Sequence, residues 1–255
     1  MAHPLRPSVV IEQVAPGLHR LGHGPVNLYV VQDGDRVGLV DAGLPATQPA
    51  VVELLDRLGH APGDVEAIAV THAHFDHLGF ARWMQEEHGV PVLVHPDDGH
   101  LAAHPYSYRP RHNRFAFAGR HPGGWPHLAA MTSLGALRVR PPLRTTPMLP
   151  GALASFPQGP RVIATPGHTD GHTVLHFPEA SAVVTGDALV TLDPYTGRRG
   201  PRVVASGATK DPEVAVRSLE AIAATGAEVV LPGHGLPWYD GAAAAADRAA
   251  EAGVA

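Results

Sequence analysis

The 255-residue sequence predicts an α/β fold in which two mixed β-sheets pack together and helices cover their outer faces. Three observations lead there. The chain holds two stretches of short β-rich segments, and each stretch runs into segments of helical periodicity. Gly (28) and Pro (26) are dense enough to close many tight turns, yet short of the ~25–30% that marks a low-complexity chain. Apolar residues make up 44%, enough for a buried core at this length.

In the first half, residues 9–13, 18–21, 27–31 and 37–40 are β-rich. Pro16-Gly17, the turn from Gly22 to Pro25, and Asp33-Gly34 separate them, so they read as an antiparallel meander. Residues 47–58 place Val51, Leu54, Leu55 and Leu58 on one helical face. A short buried strand follows at 68–70, then a helix at 77–88 stopped by Gly89, then a strand at 92–94.

Residues 96–150 break this rhythm. They are rich in Pro, Arg, His and aromatic residues, and the one helix expected there lies near 128–137. They read as an insertion or cap rather than core. Strands return at 161–164, 173–177 and 182–185. A helix at 212–225 has Asp211 as its N-cap, Pro212 at its first position and Gly226 as its C-terminal stop. Its buried stripe is Ala215, Leu219, Ile222 and Ala223. A strand at 228–231 and an Ala-rich helix near 241–252 complete the chain. With no linker in sight, residues 1–255 are expected to form a single domain carrying a cap at about 96–150.

The formal charge is −5. Residues 99–169 contain no Asp or Glu but eight Arg, so this stretch is +8 and the remainder is −13. Asymmetry of this kind marks a partner surface or a pairing with the acidic body. No run reaches the ~18 apolar residues of a membrane helix. The first residues, Met-Ala-His-Pro-Leu-Arg-Pro-Ser-Val-Val-Ile-Glu, lack a signal-peptide core. A cytoplasmic protein without a membrane partner is expected.

There are 18 His and no Cys. The missing Cys excludes disulfides, zinc ribbons, thiolate metal sites and a cysteine nucleophile. The His excess is concentrated in Thr71-His72-Ala73-His74-Phe75-Asp76-His77, directly after the strand at 68–70. His72 and His74 are two apart, so an extended backbone sends both to one side. Asp76 and His77 lie where the chain turns into the helix and can point back to the same volume. Downstream, His168 in Thr165-Pro166-Gly167-His168-Thr169, Asp187 in Thr185-Gly186-Asp187 and His234 in Leu231-Pro232-Gly233-His234-Gly235 each follow a strand in a Gly-containing turn.

This pattern, His72-x-His74-x-Asp76-His77 followed by His168, Asp187 and His234, resembles the metallo-β-lactamase-fold superfamily of metallohydrolases. Asp41-Ala42-Gly43 resembles that family's Asp-x-Gly after the fourth strand. The resemblance implies an αββα sandwich with metals at one edge, between the sheets. It implies His72, His74 and His168 on a first metal, Asp76, His77 and His234 on a second, and Asp187 bridging both. Imidazole and carboxylate ligands suit Zn²⁺, with Fe and Mn as alternatives. Two such ions can share a hydroxide that exists near neutral pH.

The departures bear on substrate. Asp187 stands where a cysteine-using β-lactamase departs from the pattern, so the chain looks more like the glyoxalase II, lactonase and RNase Z-like branches. Glyoxalase II-like enzymes carry a further helical domain that helps bind glutathione; with 21 residues after His234, a glutathione thioester is not the expected substrate. Lactonases of this fold carry a Tyr three residues past the bridging acid. Val190 stands there, and Tyr195 is the nearest Tyr, either a turn residue or a donor to a carbonyl oxygen. No tRNA-handling segment is evident, and nucleic acid is not an expected partner.

The expectation is therefore a dinuclear hydrolase holding two Zn²⁺, whose bridging hydroxide attacks an ester, lactone or thioester carbonyl of a small molecule, an anionic one if the cap arginines bind it rather than pair with the acidic body. Asp76 would orient the hydroxide and carry a proton, with Tyr195 as a second catalytic candidate. Arg109, Arg111 and Arg114 are the substrate-binding candidates, because Arg suits carboxylate or phosphate. His172 and Asp41 are candidates to support the ligands. The histidines at 95, 100, 104, 112, 121 and 127 are expected in surface or cap roles. A mononuclear iron enzyme resembling persulfide dioxygenases, and a phosphodiesterase, are the rival readings. The oligomeric state is open, a homodimer included.

Overall fold

The computed structural model describes residues 7–255, so the first half of the N-terminal stretch on which the signal-peptide reading rests lies outside the described residues. Strands β1 (Val9–Ala15), β2 (Leu18–His23), β3 (Val26–Asp33) and β4 (Arg36–Val40) form the expected antiparallel meander. Helix α1 (Gln48–Arg57) then crosses to β5 (Val65–Ala69), and α2 (Ala81–His88) crosses to β6 (Val92–Val94), both strands joining in parallel. Helices α3 (Gly99–Ala103), α4 (Arg114–Arg120) and α5 (Trp125–Ser133) follow. A short strand β7 (Thr146–Pro147) closes this seven-stranded sheet.

The second sheet begins with β8 (Gly151–Ala152), β9 (Arg161–Ala164), β10 (Thr173–Phe177) and β11 (Ala182–Gly186), all antiparallel neighbours. A separate ribbon of β12 (Val190–Leu192) and β13 (Arg199–Arg202) comes next. Helix α6 (Pro212–Ala223) leads to β14 (Val229–Pro232), parallel to β11, and α7 (Ala242–Ala252) ends the described elements.

Strand alternation builds the layers. Tyr29, Val31, Leu175, Val184 and Leu231 point between the sheets and pack on Phe156 and Phe177. Their chain neighbours point outward. Leu28, Val30 and Ile68 meet Val51, Leu54 and Leu55 of α1 and Met84 of α2. Val174, Val183 and Val230 meet Leu219 and Ile222 of α6 and Ala245 and Ala249 of α7. Helix, sheet, sheet and helix thus form an αββα sandwich with three apolar layers, which explains why β10 and β11 are buried on both faces. No helix among the described residues is long and apolar enough to cross a membrane.

Three expectations need correction. The helix predicted from residue 77 starts at Ala81, and His77 lies in a single 3₁₀ turn over Phe75–His77. The reason is backbone contact: Gly79 N–H donates to Gly43 O, and a Cβ on Gly79 would lie 2.3 Å from that oxygen. The cap holds three helices instead of the one predicted near 128–137, and that one runs Trp125–Ser133, ahead of Gly135 at φ +94°. Asn113 caps α4 by accepting from Phe115 and Ala116 N–H, so a cap signal stood in a segment read as irregular. The β12–β13 ribbon was not expected, because Gly and Pro inside β13 obscure it.

Candidate metal centre

Four strand ends converge on one edge of the sandwich. Residues 71–77 follow β5, His168 follows β9, Asp187 follows β11 and His234 follows β14. The two sheets are joined there by Thr173 N–H donating to Thr71 O. His72, His74, Asp76, His77, His168, Asp187 and His234 are all brought together, none more than 5% exposed.

Hydrogen-bond partners fix which nitrogen of each ring faces inward. His234 Nδ1 lies 2.7 Å from Pro25 O, an acceptor, so Nδ1 carries the proton and Nε2 keeps a lone pair. His77 Nδ1 donates to Asp41 Oδ2 at 2.8 Å with the same result. Thr71 Oγ1 donates to Asp41 and so accepts from His72 Nδ1. Thr209 Oγ1 donates to Val204 O and so accepts from His168 Nδ1. His74 is turned the other way, its Nδ1 2.9 Å from His168 Nε2.

These lone pairs meet at Asp187. Its Oδ2 lies 3.2 Å from His234 Nε2, 3.5 Å from His168 Nε2 and 3.9 Å from His72 Nε2, and its Oδ1 lies 3.5 Å from His77 Nε2. Asp76 Oδ2 is 3.4 Å from His234 Nε2. The ligand atoms of His72, His74 and His168 lie within 4.8 Å of one another, and so do those of Asp76, His77 and His234. His72 Nε2, His77 Nε2 and Asp187 Oδ1 are buried without a hydrogen-bond partner. Converging lone pairs and orphaned buried atoms repel one another unless a cation lies among them, so this donor set fits divalent metal. Gly233 makes room, since a Cβ there would stand 2.5 Å from Asp187 Oδ1.

Without metal, the electrostatics split the cluster. Burial pulls His72 well below the usual imidazole range, and pulls His74 and His168 to about 3. Burial also acts on His77 and His234, but Asp41 and Asp187 outweigh it for His77, and Asp187 and Asp76 do so for His234. His77 is raised well above its usual value and His234 to about 10. Burial pushes Asp187 up, but His234 and His77 hold it well below the usual carboxylate range.

The supporting groups take two forms. Asp41, at φ +64°, accepts from Thr71 N–H as well as from Thr71 Oγ1 and His77. This uncommon backbone conformation is held by three side-chain hydrogen bonds. His172 is wedged against the His72 ring at 4.9 Å, bonded at Nδ1 to Thr165 and accepting at Nε2 from Asp187 N–H. Asp98 was missed by sequence reasoning. It is 2% exposed and accepts from Ala73 N–H, Thr169 Oγ1 and Gly171 N–H, tying the His72–His77 loop to the His168 loop. Its signal was weak, because it closes the 3₁₀ turn Pro96–Asp98 after β6, whereas Asp187 follows β11 directly.

The remaining candidates are distributed as follows. Tyr195 takes part in an Asp193-capped turn, yet its hydroxyl lies 3.4 Å from that of Tyr108, whose ring packs 4.3 Å from His74. Burial, Tyr108 and Asp76 push the Tyr195 hydroxyl well above its usual range. Gly124 of the cap packs on this turn so closely that a Cβ would stand 2.1 Å from Tyr195 O. Arg109 lines a cavity of about 280 Å³ together with Tyr108, His74 and His168. Arg111 faces Glu213 at 3.8 Å, and Arg114 stacks on Tyr108 and Phe115; neither lines that cavity. Of the six cap-region histidines, only His100 lines it.

Comparison with known proteins agrees with this geometry. The profile of the metallo-beta-lactamase superfamily matches residues 21–234, a span that takes in all seven clustered residues. The probable metallo-hydrolase YflN of Bacillus subtilis (strain 168) is 28% identical over 235 residues, covering 88% of this chain and 86% of YflN. The metallo-beta-lactamase family protein TTHA1429 from Thermus thermophilus superposes with a TM-score of 0.67 at 28% identity, covering 94% of this chain and 80% of that one. TTHA1623, solved in a di-iron-bound form, gives 0.62 at 27% identity, covering 86% and 92%. The chain belongs to the metallo-β-lactamase superfamily.

Proposed function

We propose that this chain is a dinuclear metal-dependent hydrolase that cleaves an ester, lactone or thioester carbonyl of a small molecule. One observation carries the reading: a single carboxylate, Asp187, lies within 4 Å of imidazole nitrogens from both ligand trios. His72, His74 and His168 would hold the first ion, Asp76, His77 and His234 the second, and Asp187 both. Two Zn²⁺ ions held there would supply a water that ionises near neutral pH and would polarise the carbonyl under attack.

The protein's own groups do the rest. Asp76 accepts the proton of the attacking water and returns it to the leaving oxygen or sulfur. Tyr195, kept protonated by burial, donates to the carbonyl oxygen as charge develops on it. Asp41 and Thr71 hold His77 and His72 in the tautomers the site needs.

The test is a screen of the purified protein on lactones, thioesters, aryl esters and a chromogenic phosphodiester, with metal content measured on the same sample. Two zinc ions per chain and turnover of a carbonyl substrate, abolished in a protein carrying both His72→Ala and His74→Ala, support the proposal. One iron per chain with oxidation of a sulfur substrate would replace it with an oxidoreductase. TTHA1623, with its two bound irons, makes iron the first alternative metal to check. Turnover of the phosphodiester alone would select phosphoester hydrolysis.

A further inference from the structure

The cavity beside the first ligand trio has one wall from the metal centre, His74 and His168, and one from the cap, Tyr108 and Arg109. Its charged groups can be accounted for one at a time. Asp98 is spent on three donors. Asp170 is paired with Lys210. Asp97 is exposed, with its Oδ2 3.7 Å from His95 Nδ1. Arg109 has neither a carboxylate within ion-pair distance nor a side-chain hydrogen bond among the described residues.

The other early cap arginines are committed elsewhere: Arg111 faces Glu213, Arg114 stacks on two aromatic rings, and Arg120 donates to Ala116 O. This part of the cap thus presents one uncommitted guanidinium to the cavity. At about 280 Å³ the space is at the small end for a ligand site, so it suits a short molecule.

We propose that this cavity binds a short substrate arm ending in a carboxylate, received by Arg109 while the reacting carbonyl sits at the metal centre. This rests on the hydrolase reading above, and it names the substrate class: a small acyl compound with an anionic tail. Guanidinium binds carboxylate through two parallel N–H donors, which Lys cannot reproduce. Arg109 is therefore a specificity-determining residue. Asp97, which also lines the cavity, opposes the anion and limits its affinity.

The experiment measures binding by calorimetry on the metal-loaded protein, with butyrate and succinate as probes. Both have four carbons and one carboxylate that can reach the metals; succinate alone carries a second for Arg109. The expected result is that succinate binds at least about tenfold more tightly than butyrate. Arg109→Ala removes this difference and leaves butyrate affinity unchanged, Arg109→Lys retains part of it, and Asp97→Asn widens it. Equal affinities in the wild-type protein, no succinate binding, or a preference that survives Arg109→Ala overturns the inference. The hydrolase reading fails separately: succinate preference with no turnover of 4-nitrophenyl butyrate or the 4-nitrophenyl monoester of succinate would keep the cavity assignment and remove the activity.

Discussion

Asp41 and His77 form a buried pair in which the carboxylate holds the imidazole Nδ1–H at 2.8 Å and so aims Nε2 at Asp187. The same carboxylate fixes Thr71, which in turn fixes His72, so one acid sets the tautomer of a ligand in each trio. Asp41→Asn keeps the shape and tolerates the positive φ but loses the charge. It should weaken metal retention about 10–100-fold, measured by competition with a chelator. Unchanged retention would mean that Asp41 only closes the strand.

Asp98 connects two ligand loops by hydrogen bonds to residues 25, 71 and 73 positions away. Asp98→Ala leaves three buried donors without an acceptor, at a cost on the order of 3 kcal/mol. The melting temperature should drop by several degrees and metal affinity should fall with it. If only stability fell and metal affinity held, the two loops would be positioned by their strands alone.

The metal-free protein should be most stable near pH 6.5. His74 and His168 titrate at about 3 when folded, against 6.5 when unfolded, so the unfolded chain takes up more protons as pH falls through that range and stability is lost toward acid. His234 is raised to about 10, so its contribution is complete below 6.5 and is lost as pH rises toward 10. His72 adds to the acid side and His77 to the alkaline side. Melting curves of chelator-treated protein from pH 5 to 9.5 should therefore give a maximum. Bound metal replaces those protons and should remove the alkaline decline; a metal-free protein whose stability rises steadily to pH 9.5 would contradict the assignment.

Tyr195 meets Tyr108 through its hydroxyl and the cap's Gly124 through its backbone. Tyr195→Phe should lower kcat by about 10²-fold with little change in metal content, the usual loss for one donor to a developing oxyanion. An unchanged kcat would leave Tyr195 as a turn residue.

The architecture was legible where local rules acted alone. Val, Leu and Ile alternation set the strands of both sheets, and Asp211, Pro212 and Gly226 set α6 nearly to the residue. The convergence of His72, His74, Asp76, His77, His168, Asp187 and His234 was legible from the close spacing of the first four, the Gly-containing turns around the other three and the family resemblance of the whole pattern. What remained hidden depends on contacts between distant residues. Gly79 against Gly43 delays α2, and neither residue announces the other. Asp98 and Thr209 act across dozens of positions on loops whose meeting the sequence does not encode locally. The cap's three short helices are masked by the Pro and Gly around them, and only the fold distinguishes Arg109 from Arg111 and Arg114.

Asp187 is proposed to join two metal ions. That bridge is tested most directly by the metal content of the purified protein and of Asp187→Ala, measured by elemental analysis against protein concentration. Two ions per chain are expected in the wild-type protein and one or none in the variant. A single ion in the wild-type protein, or two retained in the variant, would contradict it.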